Sequence, residues 1–236
     1  MWSGPRNIST ALMRAFEARG DTAVVDEPFY ACYLAATGLD HPLRQAVLES
    51  QPRDAADVVR QLRAPLPAGC AVQYQKQMAH HLVFEPDERW LAELSHAFLI
   101  REPAAMVASY ARKRETVAAG DLGLGRQRQL YRQVTQLTGR RAPVIDARDV
   151  LTGPPALLAA LCANLGIPYT DDMCRWPPGL RASDGVWASH WYDAVARSSG
   201  FAPYRPQTLE LDPAQQAVAD QCEDDYRYLH ERRLRA

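Results

Sequence analysis

Apolar positions along the chain follow two periods. Over 8–19 (ISTALMRAFEAR) Ile8, Leu12 and Phe16 recur every fourth residue, which predicts a helix stopped by Gly20. Short β-branched or apolar runs at Thr22–Val25, Ala71–Gln75, Ala97–Ile100 and Val144–Asp146 end in polar or proline-bearing segments, the mark of buried strands. Helical spacing occupies 41–63, Ala104–Arg114, 126–139 and Ala156–Leu165. A last helix runs from about Pro213 to the end, with Asp212 as its N-cap. Residues 176–207 are rich in aromatics, proline and glycine and read as loop. Strands alternating with helices predict an α/β fold with an open, mainly parallel central sheet flanked by helices. No repeat or low-complexity linker interrupts the 236 residues, so residues 1–236 are read as a single domain.

In such a sheet, ligands bind outside the carboxyl ends of the strands. Here those ends deliver Glu27-Pro28, Lys76 with His80-His81, Arg101-Glu102-Pro103 and Arg148-Asp149. The segment Ser3-Gly4-Pro5-Arg6-Asn7-Ile8-Ser9-Thr10 is a small polar turn opening a helix. Free backbone N–H groups, two hydroxyls and an arginine there make an anion site. The turn does not fit the G-x-x-x-x-G-K-[ST] pattern. With Thr10 in the hydroxyl place, Ser9 stands where lysine belongs and Ile8 where glycine belongs. A nucleotide kinase would lack the lysine that bridges the β- and γ-phosphates, so ATP chemistry is disfavoured.

Charge sharpens this picture. Net charge is −1, from 27 basic and 28 acidic residues, which argues against a nucleic-acid coat or a polybasic membrane module. Near-neutrality conceals a polarised chain: Arg101 to Arg148 carry ten basic and four acidic residues, a local +6, so the remainder sums to −7. Only Lys76 and Lys113 among the basic residues are lysines, which singles out Lys76, while Arg112-Lys113-Arg114 reads as a solvated helix end. No apolar run approaches a membrane span and no signal peptide opens the chain. Five cysteines without a CxxC pair read as reduced thiols, and a cytoplasmic location is expected.

Arg6-Asn7-Ile8-Ser9-Thr10 resembles the [KR]-S-G-T-T loop of the sulfotransferase family, a branch of the P-loop NTPase-like fold that binds 3′-phosphoadenosine 5′-phosphosulfate (PAPS). Asn7 replaces the serine and Ile8 the glycine. Arg101, Pro103 and Ser109 in LIREPAAMVASY match the family's 3′-phosphate motif: an arginine at a strand end, a proline two residues on and a serine eight residues on. KQMAHH is similar to the K-T-H segment whose histidine is the base in many members. VIDARDVL resembles the strand that ends in an acid, with Asp149 at that place, and LCANLGIPYTDDM the helix and turn that follow. The resemblance spans residues 3–176, and Leu180-Arg181-Ala182-Ser183 is matched to a later basic cofactor loop. In the family this loop follows a central first strand. Only Met1-Trp2 precede it here, so a truncated first strand is expected.

The resemblance implies transfer of a sulfuryl group from PAPS, as co-substrate, to a hydroxyl or amine of a small-molecule acceptor. No metal is implied, and the sequence offers no acidic metal cage. Arg6 would neutralise the leaving 5′-phosphate within the loop Asn7, Ile8, Ser9 and Thr10, while Arg101, Ser109 and Arg181 would hold the remaining cofactor phosphate. Lys76 would contact the bridging oxygen or the sulfonate. His80 or His81 would be the base, His80 slightly preferred and Glu27 in reserve. Trp187, His190 and Trp191, with Tyr192 and Tyr204, would wall an acceptor pocket or stack the adenine, core packing being the plainer alternative. Two other readings stand beside this one: a nucleotide-binding or regulatory protein of the same fold that has lost transfer, suggested by Ile8, and the disfavoured kinase. No nucleic-acid or membrane partner is expected, and homo-oligomerisation is left open.

Overall fold

The computed structural model describes residues 1–112, 116–206 and 208–236. Five strands, β1 (Trp2–Ser3), β2 (Thr22–Asp26), β3 (Val72–Met78), β4 (Phe98–Ile100) and β5 (Val144–Asp146), form one sheet in the order β2-β3-β1-β4-β5. Every pairing is parallel. The middle position is filled by β1, although it is only two residues long: Trp2 lies opposite Gln77 on one side and Phe98 on the other. Its burial explains how so short a strand holds, since Trp2 is fully buried, donates from Nε1 to His96 Nδ1 at 2.9 Å and packs edge-on to Trp90.

Alternation along the strands sends side chains to two separate cores, one on each face. Leu99 and Ile145 join the core built around α1 (Ser9–Glu17), α2 (Tyr30–Thr37) and the helix Pro154–Leu165. Phe98, Ile100 and Val144 join the opposite core with Trp90 and the helices Leu124–Thr138 and Pro213–His230. Asp212 caps that last helix, accepting from Gln215 N–H at 2.8 Å.

Several boundaries differ from expectation. β3 extends to Met78, which puts Lys76 inside the strand, opposite Asp26. α2 was not foreseen, because YACYLAAT lacks a polar face and its first five residues are all buried. The stretch 41–63 is two helices, Arg44–Ser50 and Ala55–Leu62, with Asp54 capping the second. The helix after β4 is Pro103–Ala111, and Lys113 and Arg114 lie outside the described residues. Residues 176–206 hold only two helical turns, Ala188–Trp191 and Asp193–Ala196. The acid that ends β5 is Asp146, which caps the following helix, not Asp149, whose carboxylate pairs with Arg233 at 2.7 Å.

Candidate active site

The carboxyl end of β1 runs into the turn that starts α1, and the flanking strands end beside it. Between them opens a cavity of about 340 Å³. Within the turn that starts α1, Arg6 and Ile8 both adopt left-handed backbone angles, φ 62° and 60°, a conformation in which the β-branched Ile8 is strained. Ile8 occupies the N-cap of α1 and makes no side-chain cap, so the helix opens onto the cavity with uncapped backbone N–H groups. Asn7 is fully buried. Its Nδ2 donates to Leu99 O at 3.1 Å, tying the turn to β4, while its Oδ1 has no hydrogen-bond partner.

Three guanidiniums gather at this end. Arg6 Nε donates to Ser109 Oγ at 3.0 Å, Arg112 donates to the same hydroxyl at 3.3 Å, and Arg101 Nη1 donates to the Arg6 carbonyl at 2.6 Å. The eight-residue spacing from Arg101 to Ser109 thus places both at one point, because the helix begun at Pro103 turns the serine back toward the strand end. Burial, then repulsion from Arg6 and Arg112, pushes the Arg101 guanidinium below its ordinary value. Arg6 is lowered by burial and then by Arg112. Among the described residues no carboxylate forms an ion pair with Arg6, Arg101 or Arg112. Mutually repelling cations around a shared hydroxyl, beside an open helix N-terminus and an unpartnered buried amide oxygen, fit a polyanion such as a phosphate dianion.

The opposite side of the cavity carries acid–base groups. Lys76, 1% exposed, donates to Glu27, to Asp26 Oδ1 at 2.9 Å and to the Tyr192 hydroxyl at 2.8 Å. Burial alone would lower its ammonium, but Asp26 and Glu27 outweigh that and hold it well above the ordinary value. Glu27 is raised, by burial first and by Asp26 as well, against the pull of Lys76. His81 Nε2 lies 3.9 Å from Glu27 Oε2, and its ring stacks on Tyr30 and Tyr33 at 4.6 and 4.9 Å between centroids. Burial, then His80 and Lys76, depress His81 well below its ordinary value, so its imidazole is neutral near pH 7. His80 packs edge-on against Tyr33 and also lines the cavity.

The fold therefore brings together Arg6, Asn7, Ile8, Ser9, Thr10, Glu27, Lys76, His80, His81, Arg101, Ser109 and Trp191, all of which line one cavity. Four expected residues do not reach it. Arg181 lies 3.8 Å from Glu17 of α1 and donates to Pro177 O, a structural use at the far end of that helix. Trp187 is a core side chain whose Nε1 donates to Tyr192 at 3.2 Å, and His190 packs on the edge of Trp191. Tyr204 is likewise elsewhere, beneath the Arg148 guanidinium. Tyr192 of the same aromatic cluster does reach the cavity, and Tyr30 and His41, which were not expected there, line it as well. His41 bonds through Nδ1 to the Tyr30 hydroxyl at 2.8 Å. Asp26 carried a signal in the sequence, since it forms with Glu27 an acid pair at the end of one strand. His41 carried none.

A family model described as a sulfotransferase domain matches residues 1–216. Two curated relatives from Arabidopsis thaliana, branched-chain-amino-acid aminotransferase-like proteins 1 and 2, are 35% and 34% identical over 212 residues. That stretch is 89% of this chain but 38% and 37% of the relatives, so the chain spans less than two fifths of their length. The solved structure of a sulfotransferase from Alicyclobacillus acidocaldarius shares the fold, with a TM-score of 0.58 at 14% identity, covering 99% of this chain and 95% of that one.

Proposed function

The chain belongs to the sulfotransferase family, and from that premise we propose that it moves a sulfuryl group from PAPS to a hydroxyl or amine of a small acceptor. One observation carries the reading: Arg6 and Arg101, which form no carboxylate ion pair among the described residues, and the His81 imidazole beside the Glu27 carboxylate line one cavity. Arg101 and Ser109 would hold the 3′-phosphate, with Arg112 behind the Ser109 hydroxyl, and Arg6 with Ser9, Thr10 and the open end of α1 would hold the 5′-phosphate. When bound, the donor supplies a sulfuryl group on a phosphate leaving group. Arg6 and the helix N-terminus then face the charge that grows on that leaving oxygen, the kind of preorganised stabilisation that dominates group transfer. His81, held neutral by burial, would take the acceptor's proton, and Glu27 at 3.9 Å would stabilise the imidazolium so formed. His80 is the second candidate for that role, lining the same wall.

The lysine that bridges β- and γ-phosphates in nucleotide kinases has no counterpart here, Ser9 standing in its place. A thermal-shift series with adenosine 3′,5′-bisphosphate, PAPS, ATP–magnesium and AMP tests the reading. Bisphosphate at 100 times its Kd should stabilise by about 2.7 kcal/mol. Stabilisation by ATP–magnesium with none by the bisphosphate would overturn it, and binding of PAPS without turnover across acceptors would leave a binding protein of the same fold.

A further inference from the structure

Glu27 stands in a backbone conformation that its residue type avoids. Its φ of 43° lies in the left-handed region, where glycine sits without strain. Three bonds keep it there. The Glu27 N–H donates to Lys76 O at 2.9 Å, and its carbonyl accepts from Tyr30 N–H and Gln51 Nε2, each at 3.1 Å. One carboxylate oxygen meets Lys76, and the other lies 3.9 Å from His81.

Lys76 has three N–H donors and three acceptors for them: Glu27, Asp26 and Tyr192. The Tyr192 hydroxyl meets both Asp26 oxygens at 2.7 and 2.8 Å and accepts from Trp187 Nε1, while Asp26 Oδ2 also accepts from Gly185 N–H at 3.1 Å. The network closes on itself everywhere except at the Glu27 oxygen that faces His81. No donor of Lys76 is left over for a transferred group.

We propose that Asp26 and Tyr192 are positioning residues that act through Lys76 to hold the Glu27 carboxylate against His81, and that Lys76 serves this role instead of touching the transferred group. The inference rests on the sulfuryl-transfer reading and adds to it. Tyr192 also lines the cavity wall contributed by the segment that follows Gly185, so one buried node sets both the wall and the acid–base pair.

The test compares Tyr192→Phe, Asp26→Asn and Glu27→Gln, singly and with Tyr192→Phe added to Glu27→Gln. The readouts are ¹⁵N chemical shifts of the His81 imidazole, bisphosphate affinity and kcat. Tyr192→Phe should move the His81 signals in the same direction as Glu27→Gln and lower kcat at least tenfold, with the bisphosphate Kd unchanged within threefold. In the Glu27→Gln background it should cost nothing further, because residues acting through one group are not additive. Unmoved His81 signals in a folded variant, or an equal loss in both backgrounds, would overturn the inference. Asp26→Asn makes the same comparison if Tyr192→Phe does not fold. If the wild-type protein binds no bisphosphate, the sulfuryl-transfer reading falls, and the His81 signals still decide the positioning claim.

Discussion

Replacing Arg101 by alanine separates binding from stability. In the free protein this guanidinium lies close to two others and is lowered by burial and by both of them, so its loss relieves repulsion. The loss also removes the 2.6 Å bond to the Arg6 carbonyl, worth about 1 kcal/mol. These effects oppose, and the variant should unfold within about 1 kcal/mol of wild type in urea. Binding behaves differently. A charge-assisted hydrogen bond to a phosphate contributes about 1.5–3 kcal/mol, and each 1.4 kcal/mol is roughly tenfold in affinity, so bisphosphate binding should weaken roughly 10- to 150-fold. Calorimetric titration at two ionic strengths measures it. Arg101→Lys should recover part of the charge but not the fork that reaches Arg6 O. A change under threefold, or a large loss of stability with affinity intact, would refute the assignment of this cluster to a phosphate.

Lys76→Met should destabilise the fold by about 3–5 kcal/mol, since it leaves Asp26 and Glu27 buried without a cation; a loss below about 1 kcal/mol by urea unfolding would show the network to be dispensable. His96 predicts an acid dependence. Its Nδ1 accepts from Trp2 and its Nε2 bonds to Leu91 O, and burial first holds it down to about 4, against the ordinary 6.5. The folded state then binds fewer protons than the unfolded chain between these values, so the contribution is present above 6.5 and is lost as pH falls toward 4. Wild type should lose up to about 3 kcal/mol more than His96→Gln over that window, and parallel pH profiles would contradict it.

The sheet is largely legible because β2, β4 and β5 are short apolar runs ending in polar residues, whereas β3 alternates polar side chains and β1 is too short to carry a pattern. The Arg101–Ser109 pair was legible through its resemblance to the family motif, and a strand, a proline and one helical return explain why that spacing brings the two together. Lys76 was read as following its strand because a lysine in a buried strand is costly alone, and its partner Asp26 lies 50 residues away in sequence. Helix α2 was hidden by being apolar on most sides, which erases the periodicity that marks a surface helix. Arg181 matched a motif by position, yet its guanidinium lies against Glu17, a contact across the molecule that no local pattern encodes. His41 enters the cavity from a loop next to Leu43, which itself adopts a left-handed φ of 62°.

The shortness of β1 bears on how the molecule comes apart. β2 and β3 align over five residue pairs and β4 and β5 over three, whereas β1 contributes two positions to each neighbour. It is a seam between two half-sheets, each closed by its own pairings. The turn that carries Arg6 through Thr10 hangs directly from that seam, and Asn7 stitches it to β4. A ligand bound across this turn and the end of β4 would therefore tie the seam to one half-sheet, and it should slow the parting of the two halves as well as the loss of the site.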